Sequence, residues 1–146
     1  MTGLGIISPV GLSIAEAWRN ILAGNSGVRP ITTFDVSEFP VRFGGTIEGF
    51  EVTDYISKKD ARKMDTFIHY GVAAGIQAIR DAGLEISEQN AERIGVSIGS
   101  GIGGLPGIER NYHAYLQGGP RKISPFFVPG NIINMISGNL SIMYGL

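Results

Sequence analysis

The chain has 146 residues, room for one ordinary domain, and its 43% apolar content supplies enough core to argue against disorder. A formal charge of −1 gives no global attraction to nucleic acid or membrane, and zero cysteines exclude disulfides, thiolate metal sites and a thiol nucleophile within these residues. No apolar run has membrane-spanning length and the N-terminus lacks a signal-peptide pattern, so the reading is cytoplasmic.

Met1-Thr2-Gly3-Leu4-Gly5 reads as the exit of a strand. Ser13-Ile14-Ala15-Glu16 has the form of a capping box, in which Ser13 accepts from a free N–H and Glu16 reaches back. Ile14, Trp18, Ile21 and Leu22 then share one helical face, and Gly24 suits the helix end. Residues 25–43 hold Pro30 and Pro40 without a clear period and read as a long structured loop. Phe43 to Ile47 is a candidate strand.

Ser57 to Asp60 predicts a short capped helix leading into a long one from about Asp65 to Ala82. The long helix lines up Phe67, Ile68, Gly71, Ala74, Gly75, Ala78 and Ile79, a face of mostly small residues that lets another element pack very close. Gly83 ends it, residues 84–93 connect, and Ile94 to Ile98 reads as a buried strand. Pro106 fits the first turn of a helix through Ile108, Tyr112, Tyr115 and Leu116. The segment from Gly118 to Pro129 is too rich in proline for a helix, and a last helix runs from about Asn131 to Tyr144. Alternating strands and helices point to an α/β fold. There is no internal repeat and no linker.

Between the strand and the Pro106 helix lies Gly99-Ser-Gly101-Ile-Gly103-Gly104, which matches G-x-G-x-x-G. Such a turn can hold a dinucleotide pyrophosphate on the following helix N-terminus. That site also needs an acidic residue about 20 residues on, to hold a ribose. The corresponding stretch is Gly118-Gly119-Pro120-Arg121-Lys122, with neither acid nor strand. The competing reading is a turn where another chain segment or an apolar ligand comes close.

Ionisable candidates are sparse. His69 and His113 are the two histidines, each on a predicted helix without a partner at metal spacing, so both read as packed or surface side chains and no metal site is expected. Lys58, Lys59, Arg62 and Lys63 form a basic cluster interrupted by Asp60. It reads either as a solvated face or as a docking patch for an acidic partner.

Several blocks resemble the N-terminal part of bacterial β-ketoacyl-[acyl-carrier-protein] synthases: TGLGIISPVG, LAGNSGV, RKMDTFIHYGVAAGIQAIRDAGL, IGVSIGSGIGGL and GGPRKISPFFVPGNIINMISGNLSIMYGL. They follow the family's order, span nearly the whole chain, and are closer to synthase type II than to type I through GSGIGG and RKISPFFVP. Gly130-Asn131 depart from the small hydroxyl residues usual there.

The resemblance implies residues 1–146 of a thiolase-like domain, half of a layered αβαβα architecture with a mixed sheet and packed helices. It also implies that the family's first strand lies mostly before Met1, and that its nucleophilic cysteine and two catalytic histidines lie beyond Leu146. The implied reaction is the decarboxylative Claisen condensation of fatty acid elongation, on acyl and malonyl thioesters of acyl carrier protein, without a cofactor. On this resemblance, Gly101, Ile102 and Phe127 border the acyl pocket, and Ile132 lies near a homodimer interface that closes the neighbouring subunit's pocket. Lys59, Arg62 and Lys63 match basic residues that meet the carrier protein, and no catalytic residue falls in the chain. Two alternatives stand beside it: a non-catalytic partner similar to chain-length factors, and a dinucleotide-binding α/β domain.

Overall fold

A computed structural model describes residues 1–146. Helices α1 (Ile14–Leu22), α2 (Lys58–Ala61), α3 (Thr66–Asp81), α4 (Leu105–Gly118) and α5 (Met135–Tyr144) are joined by loops and short 3₁₀ turns. Strands β1 (Arg29–Pro30) and β2 (Phe43–Gly44) form one antiparallel pair, with Arg29 opposite Gly44.

Local signals account for the helix boundaries. Ser13 Oγ accepts from the Glu16 N–H, and Glu16 returns a carboxylate oxygen to the Leu12 N–H at 2.8 Å, one residue earlier than the standard box. Ser57 Oγ caps α2 through the Asp60 N–H. Gly24, Gly83 and Gly145 follow the ends of α1, α3 and α5 at positive φ, a conformation that other residues seldom adopt.

The core is the contact between α3 and α5. Ile68, Val72 and Ile76 of α3 and Ile136 and Leu140 of α5 are buried together, with Ile56 and Ala61 closing one side. Glycine makes the approach possible: a Cβ added at Gly71 would lie 2.6 Å from Ile136 Cγ2, and one at Gly75 2.4 Å from Leu140 Cδ1. The rest of the small face receives the N-terminal segment. Added Cβ atoms on Gly3 and Gly5 would meet the carbonyl oxygens of Ala78 and Ala74. That segment forms no helix or strand, and α3 side chains serve its donors: the Leu4 N–H donates to Asp81 Oδ2 at 2.8 Å and the Ile6 N–H to Gln77 Oε1 at 3.0 Å.

Four expectations are corrected. Val72, Ala73 and Ile76 are buried although they lie outside the predicted α3 face, because α3 is covered on more than one side. Residues 94–98 form no strand; the Ile98 N–H donates instead to Ser137 Oγ of α5 at 2.9 Å. The strand expected from Phe43 to Ile47 shrinks to Phe43–Gly44, since its one ladder partner, β1, is two residues long. Helix α5 begins at Met135 rather than Asn131, because the N–H groups of Asn131 and Ile132 both turn back to the Val128 oxygen. The predicted apolar face of α1 exists, but Ile14, Trp18, Ile21 and Leu22 are exposed and only Ala17 is buried. No helix is long and apolar enough to cross a membrane.

Candidate functional site

The glycine turn opens α4. Gly103 sits at φ 88°, a left-handed conformation, and its N–H donates to Ser100 Oγ at 3.2 Å. The Gly104 N–H donates to the main-chain oxygen of Asn131 at 3.0 Å. The donors a phosphate would need at these two positions are therefore engaged within the chain, which removes the physical basis of the dinucleotide reading. Close approach occurs at Gly103, Gly104 and Gly107, where any Cβ would collide with Asn131, whereas Gly99 and Gly101 face open space.

Ile102, Phe127 and Ile132, distant in sequence, meet in one apolar groove of about 310 Å³ completed by Ile108, Val128, Asn131 and Ile133, so Ile132, expected against a neighbouring subunit's pocket, here lines a groove of its own chain. Ile102 is 67% exposed and Ile132 41%, so the groove is an open trough. Gly101 lies at its edge in the chain and is not part of the wall. A second apolar depression of about 330 Å³ runs along α4 between Tyr112, Tyr115, Ile123 and Asn111, sharing Ile108 and Phe127 with the first.

The basic cluster is not uniform. Lys63 Nζ lies 2.6 Å from Asp60 Oδ1 and 5.8 Å from the centre of the Phe126 ring, so its charge is already partnered. Lys59 and Arg62 are exposed and have no ion pair. The Lys63 ammonium, followed by the Ser57 hydroxyl, holds the Asp60 carboxyl below the ordinary aspartate range. Arg62, Lys63 and Arg110 rim a small polar cleft floored by Asp65, Gly107, Gly130 and Asn131. There Arg110 Nη2 lies 3.1 Å from the buried carboxylate of Asp65. Asn131 lines both the cleft and the apolar groove, and adjacent residues serve the two features: Phe126 lies under Lys63 while Phe127 lines the groove.

Neither histidine joins this site. A ring nitrogen of His69 is 2.9 Å from the Ala61 oxygen, and His113 is an exposed side chain 4.0 Å from Glu109. Asp65 and Arg110 escape the sequence reading, and Asn131 enters it only as a departure from the family's small hydroxyl residues, with no role attached. The sequence signal for Asn131's packing is the glycine spacing: Gly103, Gly104 and Gly107 form three gaps on a helix start that some bulky group must fill.

Residues 1–146 match the family described as "Beta-ketoacyl synthase, N-terminal domain". The chain belongs to this family. Among beta-ketoacyl synthase relatives, the 3-oxoacyl-[acyl-carrier-protein] synthase 2 of Vibrio cholerae serotype O1 is 59% identical over 146 residues, covering 100% of this chain and 35% of that protein. The Staphylococcus aureus synthase 2 is 43% identical over 145 residues, 99% of this chain and 36% of that protein. The chain thus spans about a third of the length of these beta-ketoacyl synthases. Among solved structures, a beta-ketoacyl synthase from Burkholderia phymatum has a TM-score of 0.80 at 26% identity, over 100% of this chain and 36% of its own. The ishigamide ketosynthase/chain length factor gives 0.79 at 27%, over 97% and 36%. A type II polyketide ketosynthase in complex with its acyl-carrier protein gives 0.80 at 24%, over 99% and 38%. The thiolase-like α/β class is thereby shown, with this chain a helix-rich part of it carrying one small sheet.

Proposed function

We propose that this chain is the acyl-pocket and carrier-docking part of a 3-oxoacyl-[acyl-carrier-protein] synthase of fatty acid elongation. The observation that carries the reading is the meeting of Ile102, Phe127 and Ile132 in one apolar groove beside a cationic rim. An alkyl tail gains roughly 0.8 kcal/mol for each methylene removed from water, so a trough of this size favours an acyl chain. An acidic carrier protein is attracted by the unpaired Lys59 and Arg62.

In the condensation, a cysteine thiolate takes the acyl group and releases the carrier thiol. Malonyl carrier protein loses CO₂, its carbanion attacks the acyl carbonyl, and the thiolate leaves. The 146 residues hold no cysteine, so the nucleophile is not among them and they form no acyl-enzyme by themselves. What they contribute is a wall for the tail and a landing surface.

A second reading has one observation behind it: the ketosynthase/chain length factor neighbour. On this reading the chain belongs to a non-catalytic partner similar to chain-length factors, in which the groove of Ile102, Phe127 and Ile132 bounds the product without a thiol. One experiment separates the two. Residues 1–146 replace the matching third of the V. cholerae synthase, whose remaining two-thirds supply the rest of the enzyme. Condensing activity in this chimera supports the elongation reading. A folded chimera that binds carrier protein yet produces no ketoacyl product favours the non-catalytic one. In the active chimera, Ile102→Phe shortens the longest acyl chain accepted; an unchanged chain-length profile removes Ile102 from the pocket.

A further inference from the structure

The stretch from Lys58 to Lys63 holds four cations and a single acid, Asp60. Both carboxylate oxygens of Asp60 are engaged: Oδ2 accepts the Ser57 hydroxyl at 2.7 Å, and Oδ1 lies 2.6 Å from Lys63 Nζ. The Asp60 N–H donates in turn to Ser57 Oγ at 3.1 Å. The capping geometry therefore fixes the acid at the start of α2, and the longer lysine reaches to it. The Lys63 ammonium stands 5.8 Å from the centre of the Phe126 ring. Its side chain lines both the polar cleft and a larger one of about 410 Å³ between α2 and α5. The pair is partly open to solvent, 35% exposed at Lys63 and 46% at Asp60, and an ion pair this open is weak and exchangeable. Lys59 before Asp60 and Arg62 after it have no ion pair.

A lysine ammonium is one compact charge. A partner carboxylate that shares Lys63 with Asp60 lies beside a second negative charge. One that takes Lys63 outright leaves Asp60 with Ser57 alone. Either way Asp60 opposes the contact that Lys63 offers, while Lys59 and Arg62 stay open to it. We propose that Asp60 is an internal competitor for Lys63, which keeps the grip of this patch on an acidic carrier protein weak. A weaker grip is mostly a faster release. Release has a use in the condensation described above, where one carrier must leave with its thiol before the malonyl carrier lands. Asp60 acts through Lys63 and is a positioning residue, not a catalytic one. The inference rests on the carrier-docking reading above.

The test is a double-mutant cycle in the V. cholerae chimera, reading the Kd of acyl carrier protein by fluorescence anisotropy at low salt. Asp60→Asn keeps the size of the side chain and an acceptor for Ser57 but removes the charge. It tightens binding by about threefold, within what a partly exposed ion pair is worth. Damage to the fold would weaken binding, so a gain separates this role from a merely structural one. In a Lys63→Ala background the same substitution gives a smaller gain or none, because the ammonium it would free is absent. A gain of equal size in both backgrounds overturns the proposal, since Asp60 would then act on the carrier directly. Binding that Asp60→Asn never tightens overturns it too. If Asp60→Asn fails to fold, Asp60→Ser is read in the same cycle with the same outcomes. The two readings fail separately. Binding that Lys59→Ala and Arg62→Ala leave unmoved removes the docking surface. Binding that they weaken, but that Asp60→Asn does not tighten, removes only the competitor.

Discussion

Gly75 and Leu140 meet so closely that a single methyl group on the glycine would lie 2.4 Å from Leu140 Cδ1. This contact and its neighbour, Gly71 against Ile136, set the spacing of α3 and α5. Alanine favours a helix over glycine by about 1 kcal/mol, so on an exposed face Gly75→Ala would stabilise. Here overpacking, about 1–3 kcal/mol, wins. Gly75→Ala is expected to lower stability in denaturant unfolding, and adding Leu140→Ala to it is expected to cost less than Leu140→Ala alone. Stabilisation by Gly75→Ala would show that α5 does not pack on this face.

Lys59, Arg62 and Lys63 together are expected to govern encounter with the carrier protein. Replacing all three with alanine in the chimera raises KM for acyl carrier protein by about tenfold at low salt, within the range for electrostatic steering, and by less at high salt. Small thioester substrates are unaffected. Because Lys63 is held by Asp60, Lys59 and Arg62 carry more of the effect than Lys63. Equal losses with both kinds of substrate would mark a folding defect.

Asp60 ties Lys63 to the start of α2, and both its partners favour the ionised form. Its folded-state pKa is depressed, so its contribution to stability is complete above the ordinary aspartate range and is lost as pH falls through the lower, folded value. A carboxyl titration followed by NMR is expected to place Asp60 below an unfolded aspartate. Lys63→Ala moves that midpoint up, since the lysine is the leading cause. A midpoint that ignores Lys63→Ala would show that the pair does not form in solution.

The parts legible in the sequence are those written in short-range chemistry. Ser13 with Glu16, Ser57 with Asp60, and Gly24 and Gly83 mark helix ends through contacts a few residues apart. Residues 94–98 show the limit: an apolar β-like run is present, yet a strand needs a ladder, and the Ile98 N–H finds Ser137 in place of one. Ile102, Phe127 and Ile132 come from family resemblance, because no spacing rule joins positions up to 30 apart. The sequence marks Asn131 as a departure from the family pattern but hides its packing role for another reason. An asparagine after glycine reads as a turn former, and only the three glycines facing it in space disclose a wedge.

The most direct measurement maps the acyl tail itself. The chimera is acylated by a carrier protein bearing a long acyl chain with a terminal diazirine, irradiated, and digested for mass spectrometry. The account predicts label on Ile102, Val128, Ile132 or Ile133, the walls of one groove, with loss of that label in Ile102→Phe. Label confined to Tyr112, Tyr115 and Ile123 of the neighbouring depression, or absent from residues 1–146, would contradict it.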